Sequence, residues 1–384
     1  MTVPVKRLLI FPNDPIHRYV EKGEVKPRYF NPGNTFDEVH VMEFSDTPTP
    51  VVSVQPFAGR ARISIYALGT IRTLVRSGRL LTLERSTARL VGSIGPSVIR
   101  GYNSTLGGFL AVRTARHLGI PSVVSLHIDR DEVRQFERLP LMHRLYERLS
   151  RAWFEPYAMQ RADVVLPVSE FLGQYARRYG ASDIRVIYNR VSTAQFRPPA
   201  VLPPRSGRFR ILSVGRLDPQ KQQGVLIRAI RDLDAELVLI GDGSMRGELE
   251  ALIHAVGVHD RVHIIPSVPH QDIQRWYWDA DVFAIASRYE GFCMPILEAM
   301  AAGLPVVVND KDPLPEIVGD AGIIVPATPE AFRNAFARLQ TDASFRRAFR
   351  TRALDRAEDL DGAQFEAREA DVYRSFIGGT PKNI

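Results

Sequence analysis

The chain has one cysteine, Cys293, so an internal disulfide is excluded and a reducing cytoplasm is the expected setting. It contains no apolar run of the roughly 18–20 residues that a membrane-spanning helix needs. The short basic-apolar start (Lys6, Arg7, Leu8, Leu9, Ile10) lacks a signal-peptide core and cleavage site, and reads as a first strand. Low-complexity tracts are missing, as are Gly-x-Ser-x-Gly, His-Glu-x-x-His and Gly-x-x-x-x-Gly-Lys-Ser/Thr. The common hydrolase, zinc and P-loop chemistries therefore have no support. What is present is globular: 45% hydrophobic and 24% charged over 384 residues, enough for two domains of ordinary size.

Acidic residues are scarce in one region. Between Arg60 and Ile120 there are ten arginines and a single acid, Glu84, within an overall net charge of +7. Arg72, Arg76 and Arg79 recur at helical spacing, opposite Leu68, Ile71, Leu74 and Val75. This is either a solvated helix face or a patch that meets an anionic acceptor or an anionic membrane surface. Nucleic acid is not expected, because no nucleic-acid motif or interleaved aromatics accompany the arginines.

Strand-like and helix-like segments alternate along the chain. Lys6–Phe11, Glu38–Phe44, Ser97–Arg100, Ser122–Leu126, Val164–Pro167 and Arg185–Ile187 read as strands in the first half. Leu106–Leu118, Leu141–Gln160 and Glu170–Tyr179 read as helices. A stretch with Pro198, Pro199, Pro203 and Pro204 has no sustained periodicity and reads as a linker. A second series then begins at strand Arg210–Val214. The pattern predicts an α/β protein of two doubly wound, Rossmann-like domains facing across a cleft. The expected division is an N-terminal domain 1–190, a linker 191–207 and a C-terminal domain 208–364. The amphipathic segment Phe365–Ile377 could extend either domain, with residues 365–384 a candidate to complete the first.

Chemistry concentrates at strand-to-helix junctions of the second half. In Glu290-Gly-Phe-Cys-Met-Pro-Ile-Leu-Glu298, Glu290 should end a strand and Glu298 should fall in the first turn of the next helix, with the amides of 292–294 between them. Pro295 suits a first helical turn, where its missing N–H costs nothing. In Ser213-Val-Gly-Arg216-Leu-Asp-Pro-Gln-Lys221, Gly215 permits a tight exit from a strand. Arg216 offers a bidentate fork and Lys221 a movable point charge, both before a helix N-terminus. That suits a pyrophosphate. Ile240-Gly241-Asp-Gly243 is a Gly-x-Gly without a third glycine: a tight turn that could line a nucleotide pocket, with Val268 on a following loop. His127 ends the strand Ser122–Leu126. Five Asp-x-Asp triplets occur, and only Asp129/Asp131 follows a strand near the expected cleft, so a metal site is not expected.

Several of these motifs agree in order and spacing with a known family. Gly215-Arg-Leu-x-x-x-Lys221, the Glu290/Glu298 pair, Ala299-Met-Ala-x-Gly303-x-Pro305-Val-Val and Leu314-Pro-Glu316-Ile-Val318 resemble the second domain of family 4 retaining glycosyltransferases. The resemblance covers residues 163–340, including Val168-Ser169-Glu170 and Val186-Ile-Tyr-Asn189. In the N-terminal half it is general, with Val123–His127 its best point.

The resemblance implies the GT-B fold and transfer of a sugar, with retained configuration, from a nucleotide-diphosphate sugar to a glycan, lipid-linked or other hydroxyl acceptor. It also implies no metal or cofactor; the single cysteine and the 60–120 arginines point to a cytoplasmic or peripheral inner-membrane location. By the same resemblance the catalytic positions are Glu290, His127, Arg216 and Lys221. Donor contacts would come from Gly215, Arg216, Lys221, Gly241, Gly243, Val268, Glu290, Gly291, Phe292, Cys293, Met294 and Glu298. Arg216 and Lys221 would hold the diphosphate, Glu298 the ribose, and Glu290 and His127 the sugar. The chain departs from the family at Cys293, where glycine is usual, at Asn189-Arg-Val-Ser192, and in the loop Pro12–His17 with Lys22-Gly23-Glu24, where a glycine pair is usual. The other readings are a nucleotide-sugar-binding protein with altered catalysis and a GT-B sugar-nucleotide epimerase.

Overall fold

A computed structural model of the chain describes residues 4–21, 25–136, 140–200 and 207–378. Lys22-Gly23-Glu24 and the prolines 203 and 204 lie outside the described residues. The chain divides into two compact units. One comprises Met1–Arg130, Glu137–Ile187 and Gln364–Ile384; the other comprises Asp131–Phe136 and Tyr188–Ala363.

The first unit is built on six strands: β1 (Arg7–Phe11), β2 (Glu38–Glu43), β3 (Arg62–Ala67), β4 (Val98–Tyr102), β5 (Ser122–Leu126) and β6 (Val164–Pro167). They form one parallel sheet in the order β3-β2-β1-β4-β5-β6. The central strands are apolar on both faces, as expected of a parallel sheet covered by helices on each side; Leu8, Leu9, Ile10 and Phe11 are all fully buried. On one face Leu9, Phe11 and Ile99 pack with Leu74, Leu83, Val91, Leu110 and Ala111 from the covering helices. The C-terminal helix Gly362–Ile377 packs into this unit. There the Arg100 guanidinium lies 2.5 Å from Glu369, and Tyr373 meets Phe36.

Three details differ from the sequence reading. β3 was not anticipated, because its alternation (Arg-Ile-Ser-Ile-Tyr-Ala) sits inside the arginine-rich region. Arg185–Ile187 is not a strand; Ile184 makes only an isolated bridge to Val165. Of the apolar residues opposite the arginines, Leu68 and Leu74 are buried, whereas Ile71 and Val75 are exposed.

The second unit holds β7 (Phe209–Val214), β8 (Ala235–Ile240), β9 (Val262–Ile265), β10 (Val282–Ile285), β11 (Val306–Asn309) and β12 (Gly322–Val325). Its sheet is also parallel, in the order β12-β11-β10-β7-β8-β9. The strand order reverses between β7 and β10, so the loops leaving their carboxyl ends diverge and open a crevice there. Part of the stretch read as a linker is ordered in this unit: Thr193–Phe196 is a helical turn with Phe196 fully buried against His270 and Tyr277.

Candidate active site

The loops after β7, β8 and β10 meet at that reversal. The loop after β7 ends in a short 3-10 turn, Pro219–Lys221, and is stitched to the loop after β10. Gln220 Nε2 donates to the Tyr289 carbonyl at 2.8 Å, and Arg288 N–H donates to the Gln220 carbonyl at 2.9 Å. This brings Lys221 to Glu290. The ammonium lies 2.5 Å from Glu290 Oε1, which also accepts from Ser287 Oγ at 2.7 Å. Both partners are nearly enclosed, at 13% and 8% side-chain exposure. Burial works against the Lys221 charge, but Glu290 outweighs it and holds the ammonium above the ordinary lysine value. Arg216 stands on the same loop with its guanidinium largely in solvent, 2.9 Å from Asp218. It opposes the Lys221 charge, so the two cations feel each other.

Gly241 and Gly243 have a specific structural task. A Cβ on Gly241 would fall 2.2 Å from the Gly215 carbonyl oxygen, and one on Gly243 would fall 2.4 Å from the Leu217 carbonyl oxygen. These are backbone collisions, so only glycine lets the two loops lie this close. The approach is held by Leu217 N–H donating to the Asp242 carbonyl and Met245 N–H to the Leu217 carbonyl, at 2.9 and 2.8 Å. The Gly-x-Gly thus clamps the loop that carries Arg216 and Lys221. Val268, on the loop after β9, is partly buried beside Ser267, whose N–H donates to Asp242 at 2.8 Å.

The loop after β10 runs through Gly291 and Phe292 into the helix Met294–Ala301, with Pro295 in its first turn and Cys293 as its N-cap. Phe292 is buried and its ring packs near Tyr188. Cys293 is 1% exposed, and burial pushes its thiol up to about 12, with Lys221 only partly opposing. The thiol is therefore neutral and enclosed. Glu298 is also buried, and both its oxygens are engaged. Oε1 lies 3.1 Å from His270 Nε2, and Oε2 accepts from Tyr277 OH at 2.7 Å. A carboxylate has about four acceptor positions, so this fixed group can still take a ligand hydroxyl.

Two family models account for most of the chain. "Glycosyltransferase Family 4" matches residues 37–195, and "Glycosyl transferases group 1" matches residues 197–356. The chain belongs to the family 4 glycosyltransferases. It is 29% identical over 325 residues to an alpha-D-kanosaminyltransferase of Streptomyces kanamyceticus, covering 78% of this chain and 82% of that one. It is 30% identical over 226 residues to the N-acetylgalactosamine-N,N'-diacetylbacillosaminyl-diphospho-undecaprenol 4-alpha-N-acetylgalactosaminyltransferase of Campylobacter jejuni, covering 56% and 60%. Among solved structures, Anabaena HepE in complex with UDP and glucose matches with a TM-score of 0.75 at 19% identity, over 97% of this chain and 100% of that one. This likeness establishes the GT-B fold.

His127 of this glycosyltransferase belongs to the first unit, at the carboxyl end of β5. Its backbone N–H donates to Asn103 Oδ1 at 2.8 Å, and its ring stacks on Tyr102 at 5.4 Å. Asn103 also donates to Asn13 Oδ1 at 2.6 Å, and so ties together the loops after β1, β4 and β5. His127 Nε2 is enclosed without a hydrogen-bond partner. Burial, with Arg100 adding to it, pushes the imidazole down to about 3. A neutral ring with an unsatisfied nitrogen suits hydrogen bonding to a ligand hydroxyl, not proton transfer near pH 7.

Asp129 and Asp131 do not converge. Asp129 pairs with Arg178 at 2.6 Å and Asp131 with Arg134 at 3.0 Å. Among the described residues no group of three His, Cys, Asp or Glu is placed to hold a metal. Sequence reading missed Ser287, His270, Tyr277 and Asn103. Ser287 had a signal, as a serine three residues before Glu290 at a strand end. The others come together only through folding.

Proposed function

We propose that this glycosyltransferase binds a nucleoside-diphosphate sugar in the crevice of its second unit and transfers the sugar, with retention, to a hydroxyl acceptor. The observation that carries the reading is the buried Lys221–Glu290 pair at the β7/β10 reversal. An ammonium has three donors, and the bond to Glu290 uses one, so Lys221 can reach a phosphate while still paired. As the C1–O bond to the diphosphate breaks and the bond from C1 to the acceptor oxygen forms on the same face, charge grows on the leaving diphosphate, whose departing oxygen takes the acceptor hydroxyl's proton. Lys221 and Arg216 answer that charge as preorganised cations, which is why no metal is invoked. Glu290 orients the sugar and offsets oxocarbenium charge, and Glu298 takes the ribose hydroxyls. Gly215, Gly241, Gly243 and Val268 shape the nucleotide side, and Gly291, Phe292, Cys293 and Met294 shape the sugar side.

A relative's name supports a reading of the acceptor class. The Campylobacter jejuni enzyme is named for a diphospho-undecaprenol substrate, and the acceptor proposed here is of the same class, a glycan or lipid-linked intermediate. Among the described residues no helix is long and apolar enough to cross a membrane. The test is a panel of nucleotide sugars screened by thermal shift, then donor-dependent release of nucleoside diphosphate with and without chelator. Stabilisation by one donor and chelator-insensitive release are expected. Strict metal dependence would sink the two-cation mechanism. Donor binding with transfer to neither acceptor nor water would favour the binding-protein reading.

A further inference from the structure

The helix Leu141–Leu149 of the first unit continues into a π-helical turn, Ser150–Phe154. Leu141, Leu145, Leu149 and Trp153 recur every four residues and are 72%, 60%, 47% and 69% exposed, with Met142 beside them at 73%. On an α-helix each four-residue step rotates the position by about 40°, so a long stripe would drift off its face. The wider π turn rotates less per residue and keeps Trp153 in line with the leucines. The inward side of the same segment is filled by Tyr146, Glu147, Ser150 and Glu155. The apolar stripe is therefore the outer face of a helix whose inner face is already packed.

Among the described residues of 140–161, the exposed charges have one sign. Both acids of the segment are buried: Glu147 pairs with Arg130, and Glu155 accepts from Ser150 Oγ at 2.8 Å and Tyr175 OH at 2.5 Å. The exposed ionised residues are Arg144, Arg148, Arg151 and Arg161. The helix layer continues through Leu106–Leu118 and Leu83–Ile94 to the turn Arg79–Thr82. Leu80 and Leu81 are exposed there, beside the exposed Arg72, Arg76 and Arg79. The lone acid of that region, Glu84, is matched by Arg113 at 2.5 Å.

We propose that this helix layer seats the protein on an anionic lipid bilayer, with the Leu141–Trp153 stripe set into the boundary between headgroups and acyl chains and the arginines on lipid phosphates. An amphipathic helix with leucines and a tryptophan outward and arginines at its edges is the kind that lies in the membrane plane. Arginine stems extend over apolar surface while their heads reach polar groups, and tryptophan favours the interface. A two-fold copy is a poorer occupant, because it would set Arg144, Arg148 and Arg151 against their own counterparts. The contact rests on the first unit alone and not on any donor assignment. It places the insertion point at 141–153, outside the 60–120 arginine region.

The test uses the full chain and vesicles of phosphatidylcholine alone or with about one third phosphatidylglycerol. Binding to the anionic vesicles, with a blue shift of tryptophan emission lost in Trp153→Phe, is expected. Leu145→Ser with Trp153→Ser should lower partitioning at least about tenfold. Arg144→Gln with Arg148→Gln should lower it on the order of 25-fold, roughly fivefold for each arginine. All four positions are exposed, so circular dichroism, melting temperature and nucleotide-induced thermal shift should stay unchanged; that shift reads the second unit separately. Equal binding to both vesicle types, or an unaffected Leu145→Ser/Trp153→Ser variant, would overturn the proposal. So would a dimer in solution that this variant dissociates, since the stripe would then belong to a second copy.

Discussion

Lys221→Met is the most informative perturbation of the site. It removes the ammonium 2.5 Å from Glu290 and leaves a carboxylate at 8% exposure with Ser287 as its remaining partner. Breaking a buried pair from one side costs about 3–5 kcal/mol, because the surviving charge is uncompensated. At about 2–4 °C per kcal/mol for a domain of this size, the melting temperature should fall by roughly 10 °C. Turnover should fall by a further, separate effect: loss of a cation aimed at transition-state charge costs about 10²–10³-fold in kcat. The two effects can be separated. Adding Glu290→Gln removes the stranded charge, so the double variant should recover at least about 2 kcal/mol of stability relative to additivity. It should recover no activity. Lys221 is raised in the fold, so its contribution to stability is complete below the unfolded value near 10.5 and is lost only as pH rises through the higher folded value. Melting at pH 7 and 8 should therefore give the same difference between variant and parent. Near-normal turnover in Lys221→Met would refute its role at the diphosphate, and strictly additive stabilities would refute the buried pair.

Two further outcomes follow from particular contacts. His127 is held near 3 in the fold against 6.5 in the unfolded chain. Below 6.5 the unfolded state takes up a proton that the folded state does not, so stability should decline by about 1.4 kcal/mol per pH unit as pH falls from 6.5 toward 3. His127→Phe should flatten that slope in denaturant titrations at several pH values, and an unchanged slope would count against the buried neutral ring. Gly243→Ala, whose Cβ would sit 2.4 Å from the Leu217 carbonyl oxygen, should cost about 1–3 kcal/mol and weaken donor affinity together with stability. Full donor affinity in a destabilised variant would show that the clamp does not position Arg216 and Lys221.

Much of the second unit was legible in its residues. Short apolar runs such as Val282–Ile285 and Val306–Asn309, each followed by a turn and a helix, can be satisfied only by a parallel sheet covered on both faces. The Glu290 and Lys221 motifs could be located at strand ends on the same grounds. β3 was hidden because its exposed edge position tolerates arginine and serine, which erased the apolar contrast that marks a strand. Arg185–Ile187 runs along β6, with Arg185 N–H donating to the Val165 carbonyl and Ile187 N–H to the Pro167 carbonyl at 3.0 Å each, but forms an isolated bridge and not a full ladder.

The sequence by itself determined the class of fold, the family and the loops that carry charge, because these depend on local periodicity and on spacing within one strand-turn-helix unit. Only the tertiary structure decided which charges meet. Lys221 and Glu290 are 69 residues apart and pair because β7 and β10 are neighbours. Glu298 is fixed by His270 and Tyr277 from separate segments, Gly241 and Gly243 matter through a loop 26 residues away, burial chiefly raises the Cys293 thiol, and burial with Arg100 keeps His127 neutral. Each of these depends on distance and desolvation between chain segments, quantities that local sequence patterns do not encode.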